Sequence, residues 1–228
     1  MRTVLVTGGV RRLGKAIADG LAESGWRVIR SSSRAEAGAD VVCDLSCPGA
    51  ADELFAKACE IAGGCLDALV NNAALYIGAD ISAIDSVNFA SPRRLVELMA
   101  EHGGACAVNS VDAAVLPLTG HVDGNCGVVS LEADAAAAAI GRSGARAAYV
   151  DTKRRLLDFT LCAAREYASV GLRVNAVAPG PVLPPEGLHE KASATPLGRP
   201  TPQAVADAVS FLLNASFTTA AVIPVRGL

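Results

Sequence analysis

Thr3-Val4-Leu5-Val6-Thr7-Gly8-Gly9-Val10-Arg11-Arg12-Leu13-Gly14 is the stretch from which the rest of the chain is read. Thr3–Val6 is a short β-branched apolar run, the composition of a strand buried on both faces of a parallel sheet. Two glycines follow at once, and then Leu13, Ile17 and Leu21 recur with Ala16, Ala18 and Ala22 at helical spacing. Strand, glycine turn and helix in succession aim backbone N–H groups and a helix N-terminus at a pyrophosphate. Gly8 lets the chain turn sharply, and Gly14 lets the helix pack closely on the strand. As the first unit of the chain, this stretch predicts nucleotide binding.

Working outward, the same alternation repeats. Strands are predicted at Arg27–Arg30, Asp40–Cys43, Leu66–Val70, Ala105–Val108, Leu172–Val177 and Ala220–Val225. Helices are predicted at Ala51–Ala62, with Leu54, Ala58 and Ile61 on one face, at Val87–Ala100 and at Tyr149–Ala168. One more starts at Thr201, with Pro202 in its first position. Repeated βα units imply right-handed crossovers, hence an α/β fold: one doubly wound parallel sheet with helices on both faces. Residues 1–228 read as a single domain, with ligands outside the carboxyl ends of the strands.

Composition narrows the function classes. The chain is 51% apolar but only 4% aromatic, so its core is built from Ala, Val, Leu and Ile. A net charge of −3 and no run of Lys or Arg argue against a nucleic-acid partner. The apolar runs are too short to span a bilayer, and Met1-Arg2 leads straight into a strand, so no membrane association and a cytoplasmic location are expected. The seven cysteines (43, 47, 59, 65, 106, 126 and 162) are scattered and odd in number, which suits free thiols and no metal site.

The end of the second strand bears on the cofactor. A carboxylate there accepts hydrogen bonds from a free adenosine ribose. This chain has Ser31-Ser32-Ser33-Arg34 instead, with no carboxylate before Glu36, and Arg11 and Arg12 lie in the neighbouring turn. Hydroxyls and guanidinium groups suit a 2′-phosphate, so NADP(H) is expected rather than NAD; a solvated polar loop is the alternative. Tyr149-Val150-Asp151-Thr152-Lys153 is the second chemical signature. Residues four apart on a helix share a face, so phenol and ammonium point into one cleft, where the cation lowers the phenol's pKa.

These motifs together resemble the short-chain dehydrogenase/reductase family over nearly the whole chain. The resemblance is carried by Thr7-Gly8…Leu13-Gly14, Cys43-Asp44-Leu45, Asn71-Asn72-Ala73, Asn88, Tyr149…Lys153 and Arg173-Val174-Asn175-Ala176-Val177-Ala178-Pro179-Gly180. It implies a Rossmann fold in which Gly8, Arg11, Arg12, Leu13, Gly14, Ser33, Arg34, Asp44, Leu45, Asn71, Ala73, Pro179 and Gly180 bind the cofactor. It further implies that Lys153 holds the nicotinamide ribose and lowers the pKa of Tyr149, the proton donor. Asn88 would support a proton-relay water. The long helices containing Asn88 and Tyr149 would join copies of the chain into a dimer or tetramer.

The departures from the family pattern point further. Arg12 stands where most members have a glycine, and Asp112 where they have a catalytic serine. Both resemble the pteridine reductase branch and its bacterial dihydromonapterin-reductase relatives, in which an aromatic residue at the place of Tyr76 stacks on the pterin. A flat heterocycle between Tyr76 and the nicotinamide is physically reasonable. Each residue keeps a second reading: Arg12 as a phosphate ligand alone, Tyr76 as an ordinary lid aromatic, Asp112 as a loop carboxylate with Ser110 reaching the site. The interval from Asp112 to Tyr149 is 37 residues, far longer than in the family, so residues from about 116 to 145 read as an insertion bordering the active site. The ending Thr219-Ala220-Ala221…Arg226-Gly227-Leu228 and the short Leu183-Pro184-Pro185 segment also depart from the pattern.

The function expected on these grounds is NADPH-dependent reduction of a ring C=N bond in a pterin-like small molecule. Tyr149 gives the proton, Lys153 tunes it, Asp112 relays, and Arg12 and Tyr76 hold the substrate. A carbonyl or 3-oxoacyl reductase is the first alternative, and a non-catalytic NADP-binding sensor or scaffold protein the second.

Overall fold

In the computed structural model the chain lays down seven strands: β1 (Thr3–Val6), β2 (Arg27–Ser32), β3 (Val41–Val42), β4 (Ala68–Asn71), β5 (Cys106–Ser110), β6 (Arg173–Pro179) and β7 (Val222–Val225). The structure describes residues 1–76, 80–116, 144–182 and 197–226. Apart from its ends, the insertion expected at 116–145 lies outside these residues, as do Leu183-Pro184-Pro185, Cys126 and Gly227-Leu228.

All strand pairs are parallel, in the order β3-β2-β1-β4-β5-β6-β7. The chain winds one way from β1 to β3 and the other way from β4 onward, so the order reverses beside β1 and β4. A crevice opens there at the carboxyl ends. Every residue of β1, β4 and β5 is buried, so apart from Thr3, Asn71, Asn109 and Ser110 at their ends these strands are apolar. Val6 pairs with Val70 and Val70 with Val108, so Thr7, Asn71 and Asn109 emerge together at that edge.

The helices are α1 (Arg12–Glu23), α2 (Ala50–Ala62), α3 (Ile81–Asp85), α4 (Ser91–Glu101), α5 (Gly144–Glu166) and α6 (Pro202–Asn214). Side chains alternate across each strand. Val4 and Val6 pack on Ile17 and Leu21 of α1 and Val205, Val209 and Leu212 of α6. Leu5 and Leu69 face the other way, on Leu54 and Phe55 of α2 and Leu95, Val96 and Met99 of α4. The Thr201 hydroxyl caps α6 by accepting from Ala204 N at 3.2 Å. At the far end, Arg173 donates to the carbonyls of Leu212 (3.0 Å), Leu213 (3.0 Å) and Thr218 (2.8 Å).

Several predicted boundaries move. The second strand runs two residues past Arg30, to Ser32, and the long helix starts at Gly144 rather than Tyr149. Ile61 is 37% exposed, and Ala51 and Phe55 complete the buried face of α2 instead. The helix predicted from Val87 begins at Ile81 and passes through a π-helical turn, Ser86–Ala90, before α4. Near the end of the chain, Ala220 holds a left-handed backbone, φ +57°, while its N–H donates to Val174 O at 2.9 Å. Among the described residues no helix is long and apolar enough to cross a membrane, and no group of His, Cys, Asp and Glu is arranged to hold a metal ion.

Candidate active site

The turn after β1 is clasped to the turn after β4. Thr7 Oγ1 accepts hydrogen bonds from the backbone N–H groups of Asn72 and Ala73, both at 3.0 Å. Asn72 Nδ2 donates back to Thr7 O at 3.0 Å. Gly8 turns the chain at φ +64°. A β-carbon on Gly14 would lie 2.0 Å from Gly8 O and 2.5 Å from Asn72 Nδ2, so only glycine fits where α1 meets the turn. Arg11, at the cap of α1, makes no side-chain hydrogen bond to the helix. A backbone cradle at a helix N-terminus suits a pyrophosphate. Arg12 replaces the family's glycine yet keeps a left-handed backbone, φ +48°.

Along the edge formed by β2 and β3, Arg11 Nε lies 3.4 Å from Glu36 Oε2. Ser32 Oγ accepts from Arg34 N at 3.2 Å, and Ser33 and Arg34 are exposed to whatever binds there. Asp44 is exposed. Its carboxyl accepts from Ser46 N (3.0 Å) and Ser46 Oγ (2.8 Å), which holds it below the usual carboxylate range. Leu45 is placed otherwise: its side chain is buried in the core and its carbonyl accepts from Ser91 Oγ at 3.0 Å. Pro179 ends β6, and Gly180 N donates to Val225 O at 2.9 Å, with Arg226 against it.

The chemistry gathers beyond β4 and β5. Tyr149 Oη donates to Asp112 Oδ2 at 2.9 Å, across 37 residues of sequence. The ring of Tyr76 meets that of Tyr149 edge-to-face, centroids 4.7 Å apart. Lys153 is 3% exposed and Nζ donates to Ser110 O at 2.8 Å. The expected lowering of the Tyr149 phenol is reversed here: burial and the charge of Asp112 push it well above its ordinary 10.0. Burial pulls the Lys153 ammonium down to about 8, partly countered by Asp112. Asn88, in the π-helical turn and fully buried, grips Leu75 by both backbone groups at 2.8 Å and reaches Thr152 Oγ1 at 3.4 Å. Extra-residue turns of this kind recur at functional sites.

A buried polar chain supports the floor. Asn71 Nδ2 donates to Asn109 Oδ1 (2.8 Å) and Pro92 O (3.1 Å), Asn109 Nδ2 to Thr160 Oγ1 (2.9 Å), and Thr160 Oγ1 to Leu156 O (2.7 Å). Sequence reasoning missed Thr7 as the clasp, and Asn109, Thr152 and Thr160 as supports. The available signal was their polarity inside otherwise apolar strands and helices, since buried polar groups must be paired.

The chain is similar to known proteins over nearly its whole length. A family model described as enoyl-(acyl carrier protein) reductase matches residues 9–227. A rhamnolipids biosynthesis 3-oxoacyl-(acyl-carrier-protein) reductase of Pseudomonas aeruginosa is 29% identical, with 99% of this chain and 95% of that protein covered. A 3-oxoacyl-(acyl-carrier-protein) reductase of Staphylococcus aureus is 31% identical over 78% of this chain and 74% of its own length. Among solved structures, a 3-alpha-hydroxysteroid dehydrogenase from Pseudomonas sp. B-0831, complexed with NADH, superposes with a TM-score of 0.78. It is 27% identical, with 99% and 95% of the two chains covered.

Proposed function

The chain belongs to the short-chain dehydrogenase/reductase family, and on that premise we propose that it is a nicotinamide-dependent reductase of a carbonyl substrate, a ketone or a 3-oxoacyl group. The observation that carries the reading is the protonated Tyr149 hydroxyl, held by Asp112 beside the buried Lys153. The names of its relatives, which are 3-oxoacyl and hydroxysteroid enzymes, favour a carbonyl over the pterin expected from the departures.

The turn of Gly8, Gly14, Asn72 and Ala73 suits a dinucleotide, because glycine at position 14 lets the N-terminus of α1 pack directly on the turn that follows β1. Arg11, Ser33 and Arg34 would hold the adenosine end, and Lys153 the nicotinamide ribose. Their basic and hydroxyl character favours NADP(H) in this reading. Such a cofactor supplies the hydride. The chain's own residues handle the proton. A phenol whose pKa is raised keeps its proton at neutral pH, the form a reductive acid needs. Tyr149 would transfer that proton to the carbonyl oxygen, which competes with Asp112 for it. Lys153 would stabilise the resulting phenolate, and Asp112 would return a proton from the cleft mouth. Asp112 already accepts the Tyr149 hydroxyl at 2.9 Å and brings no serine hydroxyl with which to polarise a carbonyl.

That last property keeps a second reading, reduction of a pterin-like heterocycle, whose ring N–H groups suit an acceptor and whose face suits Tyr76. Loss of nicotinamide absorbance should be followed with acetoacetyl thioesters and simple ketones beside dihydrobiopterin and dihydromonapterin. Turnover of the carbonyl compounds that disappears in Tyr149→Phe supports the main reading. Turnover of pterins alone moves the assignment to the second. Dinucleotide binding without turnover on either class makes the chain a nucleotide-binding sensor.

A further inference from the structure

The edge where the adenosine phosphate would sit contains a counter-ion that cofactor preference must contend with. Three arginines stand nearest in sequence to the α1 N-terminus and the end of β2: Arg11, Arg12 and Arg34. A fourth, Arg30, is already committed to Asp19 Oδ1 at 2.8 Å. Arg11 is not idle either, since its Nε lies 3.4 Å from Glu36 Oε2. The backbone at Glu36 forms a turn. The Glu36 carbonyl accepts from Ala39 N at 3.1 Å across Gly38, which turns at φ +86°. The Glu36 side chain is 24% exposed against 49% for Arg11, so the carboxylate is the more enclosed partner.

We propose that Glu36 is an internal rival of the cofactor's 2′-phosphate for Arg11, and that it sets how strongly this chain prefers NADP(H) over NAD(H). A phosphate dianion pairs with the guanidinium fork more strongly than a single carboxylate oxygen does. It must first displace Glu36, and it then lies close to the displaced carboxylate. A plain ribose carries no charge, leaves the Arg11–Glu36 pair intact and meets no such opposition. The proposal rests on the cofactor reading above.

Direct binding of NADPH and NADH, read from nicotinamide fluorescence, tests it without any turnover. Glu36→Gln is expected to tighten NADPH about fivefold at low salt, the worth of an exposed ion pair, with NADH unchanged. The gain should shrink as added salt screens the carboxylate. In an Arg11→Gln background the same substitution should gain less, because Glu36 acts through Arg11. An unchanged ratio of the two affinities in Glu36→Gln, or looser NADPH, overturns the proposal while leaving cofactor binding intact. If the native chain binds neither dinucleotide, the cofactor reading itself fails, and the proposal with it.

Discussion

Lys153→Met should make the protein more stable at neutral pH while abolishing turnover, and the pH dependence of that gain can be worked out. Lys153 is 3% exposed, and burial draws its ammonium from the ordinary 10.5 down to about 8. At pH 7 the lysine is charged in both folded and unfolded chains, so the folded state bears the whole desolvation cost. As pH rises past about 8 the folded chain releases this proton first and the unfolded chain holds more protons, so stability rises with pH. A separation of two and a half units, 10.5 against about 8, corresponds to about 3 kcal/mol in all. About 2.5 kcal/mol of it should appear between pH 7 and 10. Methionine has a similar reach and no charge, but it leaves the Ser110 carbonyl without its donor, a cost of about 1–3 kcal/mol that does not vary with pH. The assay is urea unfolding of both proteins across that range, followed by the single tryptophan, Trp26. Subtracting one curve from the other cancels the titrating groups that do not interact with Lys153. The native protein should gain on the variant by about 2.5 kcal/mol from neutral to alkaline conditions. A difference that stays flat across the range refutes the reasoning, whatever its sign at pH 7.

Other substitutions report on separate parts of the site. Tyr149→Phe should lower turnover about a thousandfold, the usual scale for a lost acid, with dinucleotide affinity unchanged. Asp112→Asn removes the charge that raises Tyr149, so the tyrosinate absorbance assigned by difference against Tyr149→Phe should titrate at lower pH than in the native protein. Ala220→Gly relieves a left-handed backbone and should stabilise by about 0.5–1 kcal/mol, seen as a rise in Tm of about 1–4 °C. Gly14→Ala should abolish dinucleotide binding and cost at least about 3 kcal/mol, because the added carbon would sit 2.0 Å from a carbonyl oxygen.

What could be read from sequence follows from what each force leaves in the residue order. β1 was legible to the residue because burial on both faces gives an unbroken apolar run, stopped by Arg2 on one side and the glycine turn on the other. The α2 face was read one position off, since Ile61 fits the helical period but lies at its rim, whereas Phe55 lies under α4. α3 was missed because five residues give too little periodicity, and the π-helical turn then breaks what there is. Tyr149 and Lys153 were legible as neighbours from their spacing. Their electrostatics were not, because sequence gives proximity along a helix but not the depth of burial that raises one group and lowers the other. The Asp112–Tyr149 hydrogen bond spans 37 residues, and no local pattern announces it. Thr7 looked like part of a turn; only the structure shows it accepting two amides from the next one.

The π-helical turn at Ser86–Ala90 makes the helix that ends at Glu101 run in two phases. One residue more than the α-helical count is accommodated there, so the segment before it is rotated by about 100° from where a straight helix would carry it. In the first phase Asp85 pairs with Arg155 of α5, whose guanidinium lies 3.9 Å over the ring of Phe89. In the second, Leu95, Val96 and Met99 turn to the sheet. Removing a single residue from the turn would leave a helix of ordinary pitch and scarcely changed length. It would also swing the first phase away from α5 and unhook Asn88 from Leu75, so that the wall of the cleft is lost while the core stays in place. Along this helix the count of residues acts as an angular setting, and a one-codon deletion here would be felt as a rotation.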